Sequence, residues 1–126
     1  MKRILLLLLL CSTTLLMAQQ TDPIQEAMAS YDYETALSLI AQKKPATPLL
    51  LQKGKALRSL GLNAEALSTY QEIIGKDSTN TRALIEAAEC CRTLAKYKQA
   101  SAYYEKVLDL TPENKYVRIQ YINLLL

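Results

Sequence analysis

Histidine is absent from the chain, and with it go the commonest general base and the commonest metal ligand near neutral pH. What remains that could do chemistry is an adjacent thiol pair, Cys90-Cys91, a third cysteine at position 11, and scattered carboxylates. Neighbouring Cα atoms lie about 3.8 Å apart, short of the roughly 4.4–6.8 Å that a disulfide spans, and adjacent side chains on a helix diverge. Cys90 and Cys91 therefore read as two small buried hydrophobes, with a thiol-dependent redox factor as the competing reading. Glu65, Glu72 and Glu105 fall on exposed helical faces, where salt bridging or solubility is their default role. No metal-ligand set, phosphate-binding glycine loop or paired acid and nucleophile emerges. The expectation is no catalytic residue, no metal and no cofactor, and so not an enzyme.

The elements that carry these residues follow from a repeat. Sliding the sequence by 34 residues lays 47–80 over 81–114 without a gap. Thr47, Leu50, Arg58, Leu60, Ala66, Tyr70 and Asn80 then coincide with Thr81, Leu84, Arg92, Leu94, Ala100, Tyr104 and Asn114. Within each unit the apolar residues recur three and four apart, the spacing of two amphipathic helices. The break between them falls at Gly61-Leu62-Asn63 and at Ala95-Lys96-Tyr97. Gly61 suits the left-handed backbone that ends a helix, and Asn63 is expected to cap the next one. Asp22-Pro23 and Thr47-Pro48 read as helix starts, a capping side chain followed by a proline that costs little in a first turn. Gln25, three residues after Asp22, has the spacing of a capping-box partner.

The pattern resembles the tetratricopeptide repeat family. Leu50, Lys53, Gly54 and Leu57, with Ala66 and Tyr70, stand at the family's positions in the first unit. Leu84, Ala87, Ala88 and Cys91, with Ala100, Tyr104 and Pro112, stand there in the second. Gly54, Ala88, Ala66 and Ala100 would sit where helices approach closely, and Tyr70 and Tyr104 would fill the gaps. Tyr97, Tyr103 and Tyr104 read as packing residues with polar tips. Two departures stand out: Lys53 where an apolar residue is usual, and Ser78 in place of the terminal proline. The resemblance implies an all-α, right-handed superhelix of antiparallel helix pairs, divided into a degenerate pair at 22–46, repeats at 47–80 and 81–114, and the first helix of an incomplete repeat at 115–126. The first pair is shortened, because Ala36 precedes Ala66 by 30 residues and not 34. In the last segment Tyr116, Ile119, Ile122 and Leu126 form an apolar stripe without its expected cover.

The resemblance also implies a peptide-binding concave face lined by the first helix of each pair. The candidates are Leu51, Lys55, Arg58 and Ser59, then Arg82, Ile85, Glu89 and Arg92, then Tyr116, Ile119 and Asn123. Cations mixed with aliphatic and aromatic side chains suit an acidic peptide with an apolar anchor. The Lys and Asn set that clamps a terminal carboxylate in some family members is not reproduced, since Leu51, Glu86, Tyr116 and Gln120 occupy most of those places. Arg58 and Arg92 read equally well as solvated surface charges.

Ahead of the repeats, Met1-Lys2-Arg3, the apolar run from Ile4 to Leu10 and the small Ala18 read as a secretory leader cleaved after Ala18. The stretch from Ile4 to Ala18 is shorter than the roughly 20 residues a spanning helix needs, and Leu10 does not suit lipid attachment at Cys11. Losing Lys2 and Arg3 leaves 13 basic against 12 acidic residues, so charge makes no case for nucleic acid. The expectation is an exported, bacterial-type, periplasmic scaffold for a protein or peptide partner, touching membrane only through its transient leader. A dimer or a C-terminal continuation would cover 115–126; in the alternative reading the chain is the N-terminal part of a longer envelope-assembly protein with such repeats.

Overall fold

The computed structural model describes residues 21–126; the expected leader, 1–18, lies outside them. Seven helices and no strand make up the described residues: α1 (Pro23–Ala29), α2 (Tyr33–Ala41), α3 (Thr47–Ser59), α4 (Asn63–Lys76), α5 (Thr81–Thr93), α6 (Tyr97–Leu110) and α7 (Lys115–Leu125). Each packs chiefly on its neighbours in the chain, so antiparallel pairs stack one after another into an all-α superhelix of the tetratricopeptide type. No helix among the described residues is long and apolar enough to cross a membrane.

One turn geometry joins the helices of all three pairs. Gly61, with φ +78°, follows α3; its N–H bonds the Arg58 carbonyl at 2.9 Å, and the Leu62 N–H reaches Leu57 at 2.9 Å. Ala95, φ +58°, and Tyr31, φ +62°, occupy the same left-handed position after α5 and α1. Lys96 N–H to Cys91 at 2.8 Å and Asp32 N–H to Ala27 at 2.9 Å close the matching rings. These are Schellman terminations, in which two otherwise orphaned carbonyls are satisfied. Only one of the three uses the glycine that makes the position easy.

Helix starts obey a different rule. Asp22, Asp32, Asn80 and Asn114 each accept a backbone N–H from the first turn of α1, α2, α5 and α7. Asn63 does not cap: it is the first residue of α4, Leu62 holds the cap position, and the Asn63 amide donates to the Gly61 carbonyl at 3.3 Å. Thr47 is likewise already inside α3, whose cap is Ala46 with no side-chain hydrogen bond. At α1 the side chain that pairs with the approach to the helix is Glu26, bonded by Thr21 at 3.4 Å, and not Gln25.

The core runs continuously from Leu50 to Val117 along α3–α7. Ala66, Ala88 and Ala100 are wholly buried, and so is the Tyr104 ring. A close helix approach lies at Gly54, where an added Cβ would fall within 2.6 Å of Cε1 and 2.8 Å of the hydroxyl oxygen of Tyr70. The Tyr70 ring therefore occupies the volume that any side chain at position 54 would need. Tyr103 is partly buried, with its hydroxyl accepting from Gln71 at 3.3 Å. Tyr97 departs from the packing role expected of it and is 57% exposed.

Candidate functional site

The inner face is built by the first helices of the pairs, α1, α3, α5 and α7. Three grooves on it share residues and merge into one channel. The first, about 500 Å³, lies among Gln25 and Met28 of α1, Leu51 and Lys55 of α3, and Arg82 of α5. The second, also about 500 Å³, is bounded by Lys55, Arg58, Ser59, Arg82 and Glu86. The third, about 590 Å³, continues over Arg58, Arg82, Ile85 and Glu89 to Asn114 and Tyr116. Arg82 lines all three. Of the residues expected there, Leu51, Lys55, Arg58, Ser59, Arg82, Ile85, Glu89 and Tyr116 border the channel, whereas Arg92, Ile119 and Asn123 do not.

The charges on this face are sorted by pairing. Arg58 donates to Glu86 across the gap between α3 and α5, both side chains about one-third exposed. Arg92 donates to Glu89 at 2.6 Å, three residues back on its own helix. Neither arginine is the freely solvated charge that sequence alone allowed. Glu89 differs most from expectation. It is only 5% exposed, and its carboxylate also accepts from Tyr104 at 2.7 Å and Tyr116 at 3.2 Å. Both its oxygens are engaged, so it ties α5, α6 and α7 together as part of the channel floor. Among the described residues Lys55 and Arg82 are in no ion pair, and they leave the channel with a positive surplus at its α1–α5 end.

Glu86, expected only as a residue that breaks the carboxylate clamp, and Asn114, absent from the expected lining, also border the channel. Their signal was faint. Arg58 and Glu86 are 28 residues apart, not one repeat, so their meeting depends on the stagger between successive first helices. Asn114 was marked only by its identity with Asn80.

The thiols lie behind this face. Cys90 and Cys91 are unbonded to each other and wholly buried. Burial pushes the Cys90 thiol up to about 11, with Arg58 opposing the shift and Glu86 adding to it. Cys91 is also raised, mainly by burial. A thiolate nucleophile needs the opposite environment. The apolar stripe expected on α7 is open: Tyr116, Ile119 and Ile122 are at least half exposed, and so is Leu126, one residue past the helix end.

Residues 81–114 match the family model of the tetratricopeptide repeat. No curated protein matches the chain in sequence. Among solved structures, the chain resembles the Arabidopsis OM64 TPR domain at 18% identity and a TM-score of 0.73, covering 81% of this chain and 88% of that one. It resembles the first TPR of Spaghetti (RPAP3) bound to the HSP90 peptide SRMEEVD at 21% identity and 0.74, covering 81% and 84%. It also resembles PcrH in complex with the chaperone binding region of PopB, at 18% and 0.65, covering 80% and 85%; PcrH is from Pseudomonas aeruginosa. At these identities the likeness defines the fold, a tetratricopeptide-type superhelix.

Proposed function

We propose that the chain is a non-catalytic scaffold that holds an acidic peptide segment, with an aliphatic anchor, in the channel along α1, α3, α5 and α7. The observation that carries this reading is that Lys55 and Arg82, beside Leu51 and Ile85, are in no ion pair among the described residues, while Glu86 and Glu89 are held by Arg58 and Arg92 and the further carboxylate on the lining, Asp22, accepts from the Ile24 N–H as the cap of α1. Two cations outside any ion pair, facing one carboxylate, favour a ligand that brings further anions. Support comes from two structural neighbours, one bound to the HSP90 peptide SRMEEVD and the other in complex with the chaperone binding region of PopB. In this reading the units are 22–46, 47–80, 81–114 and the half unit 115–126. The leader ending at Ala18 exports the chain to the periplasm, where the open α7 stripe meets a second copy or a further stretch of chain.

The test is a fluorescence titration with acidic peptides that each carry one leucine or isoleucine. Arg82→Glu with Lys55→Glu is expected to weaken binding roughly tenfold or more, with helicity unchanged and wild-type affinity falling as salt rises. Equal affinity of the variant and the wild type would overturn the assignment. Export is checked separately, by the N-terminal mass of the chain recovered from the cell envelope, which is expected to begin at Gln19.

A further inference from the structure

The first helix pair does not fill its interior as the two full pairs do. All three second helices carry a buried alanine, Ala36, Ala66 or Ala100. Four residues beyond it the full pairs place Tyr70 and Tyr104, and the first pair only Ile40; seven residues beyond it they bury Ile73 and Val107, where the first pair has Lys43. Helix α2 ends at Ala41, before reaching that position, so Lys43 leaves the interior. On α3, Lys53 stands where the next unit buries Ala87. Two cations thus occupy register positions that hold buried hydrophobes elsewhere in the same chain.

The space they vacate is a cavity of about 460 Å³ between α2, the loop 42–46 and α3. Its walls are apolar, from Leu37, Ile40, Leu50 and Leu57, and Lys43, Lys44 and Lys53 supply its charge. None of the three lysines is in an ion pair among the described residues. The volume lies within the roughly 300–1,000 Å³ of small-molecule sites. No lining side chain is a hydrogen-bond acceptor, since a lysine ammonium has three donors and nothing to accept with. A peptide backbone would bring N–H groups that these side chains cannot satisfy. A hydrocarbon chain ending in an anionic oxygen group brings acceptors alone.

We propose that this cavity binds a single-chain anionic amphiphile of the fatty-acid type, its hydrocarbon against Leu37, Ile40, Leu50 and Leu57 and its headgroup among Lys43, Lys44 and Lys53. The site shares only Leu49 with the channel on the inner face and does not depend on peptide binding there.

The experiment titrates the full chain with dodecanoate, dodecyl phosphate and uncharged dodecyl maltoside, each below its micellar concentration, and follows backbone amide resonances. Saturable shifts confined to α2, loop 42–46 and α3 are expected with one or both anions, and the two arms tell a carboxylate headgroup from a phosphate. The maltoside is expected to bind at least roughly tenfold more weakly, and Lys43→Ala with Lys53→Ala to weaken the anions about tenfold while sparing helicity. Lys43→Gln with Lys44→Gln, both at exposed positions, repeats the loss should the first variant lose structure. The proposal is overturned by no saturable shift, by shifts centred on the α7 stripe, by variants that bind as the wild type does, or by an acidic leucine peptide saturating the site where dodecanoate does not. Such a failure leaves the channel reading intact, because that is read through Arg82 and Lys55.

Discussion

Gly54 and Tyr70 show how a single residue sets helix spacing. With the tyrosine ring seated where a Cβ would go, Gly54→Ala is expected to cost about 1–3 kcal/mol, the usual penalty for forcing atoms into a filled core. Urea denaturation measures it, and Tyr70→Leu in the Gly54→Ala background should add less than it costs alone, because the overlap has gone. Cys90 makes a second prediction, through pH. Its folded thiol is pushed up to about 11 from an ordinary 9.0, chiefly by burial. Above pH 9 the unfolded chain releases the proton first, so this group's contribution to stability is complete below about pH 9 and declines as pH rises through about 11. Tyr70 and Tyr104, both raised mainly by burial, add to the same decline at higher pH. Thermal melts followed by circular dichroism between pH 8 and 11 should show a falling midpoint, less steep in Cys90→Ala. Native Cys90 and Cys91 should also resist thiol reagents until the chain unfolds.

For the helices, the informative places are the turns. Ala95 takes the same left-handed conformation as Gly61 without being glycine, which for an L-residue costs about 1–2 kcal/mol. Ala95→Gly relieves that strain at some cost in unfolded-chain entropy, and a net stabilisation of roughly 0.5–1 kcal/mol is expected by denaturant unfolding. Gly61 announces its left-handed turn in the sequence, whereas Ala95 and Tyr31 do not, because those residues carry no local preference for that conformation. The ring of hydrogen bonds back to Cys91 and Ala27 imposes it there. The cap expected at Asn63 failed for a related reason: the same ring places Leu62 at the cap position and Asn63 inside the helix.

At the scale of the molecule, the continuous core of α3–α7 does not include the buried residues of α1 and α2, Ile24, Ala27, Ala36 and Ile40. In a stack where helices contact mainly their chain neighbours, stability is a sum of local terms, and a weakly joined end opens by itself. Native-state hydrogen exchange should therefore release α1 and α2 roughly tenfold or more sooner than α5 and α6. Simultaneous exchange of all four would show one cooperative unit. The same loose junction is where the cavity beside Lys43, Lys44 and Lys53 lies.

Much of this architecture was legible one residue at a time. The 34-residue period, the alternation of helices and the small residues facing Tyr70 and Tyr104 all follow from local spacing, because a helix turns a linear pattern into a face. Which charges are free did not follow. Arg58 and Arg92 are identical positions of the repeat, yet one bonds Glu86 on the next first helix and the other Glu89 on its own. Arg82 and Lys55, unremarkable in the pattern, are left as the channel's unpaired cations. Partners 28 residues apart, and a carboxylate shared by Arg92, Tyr104 and Tyr116, meet only through the stagger of stacked helices. Local periodicity contains no information about that stagger.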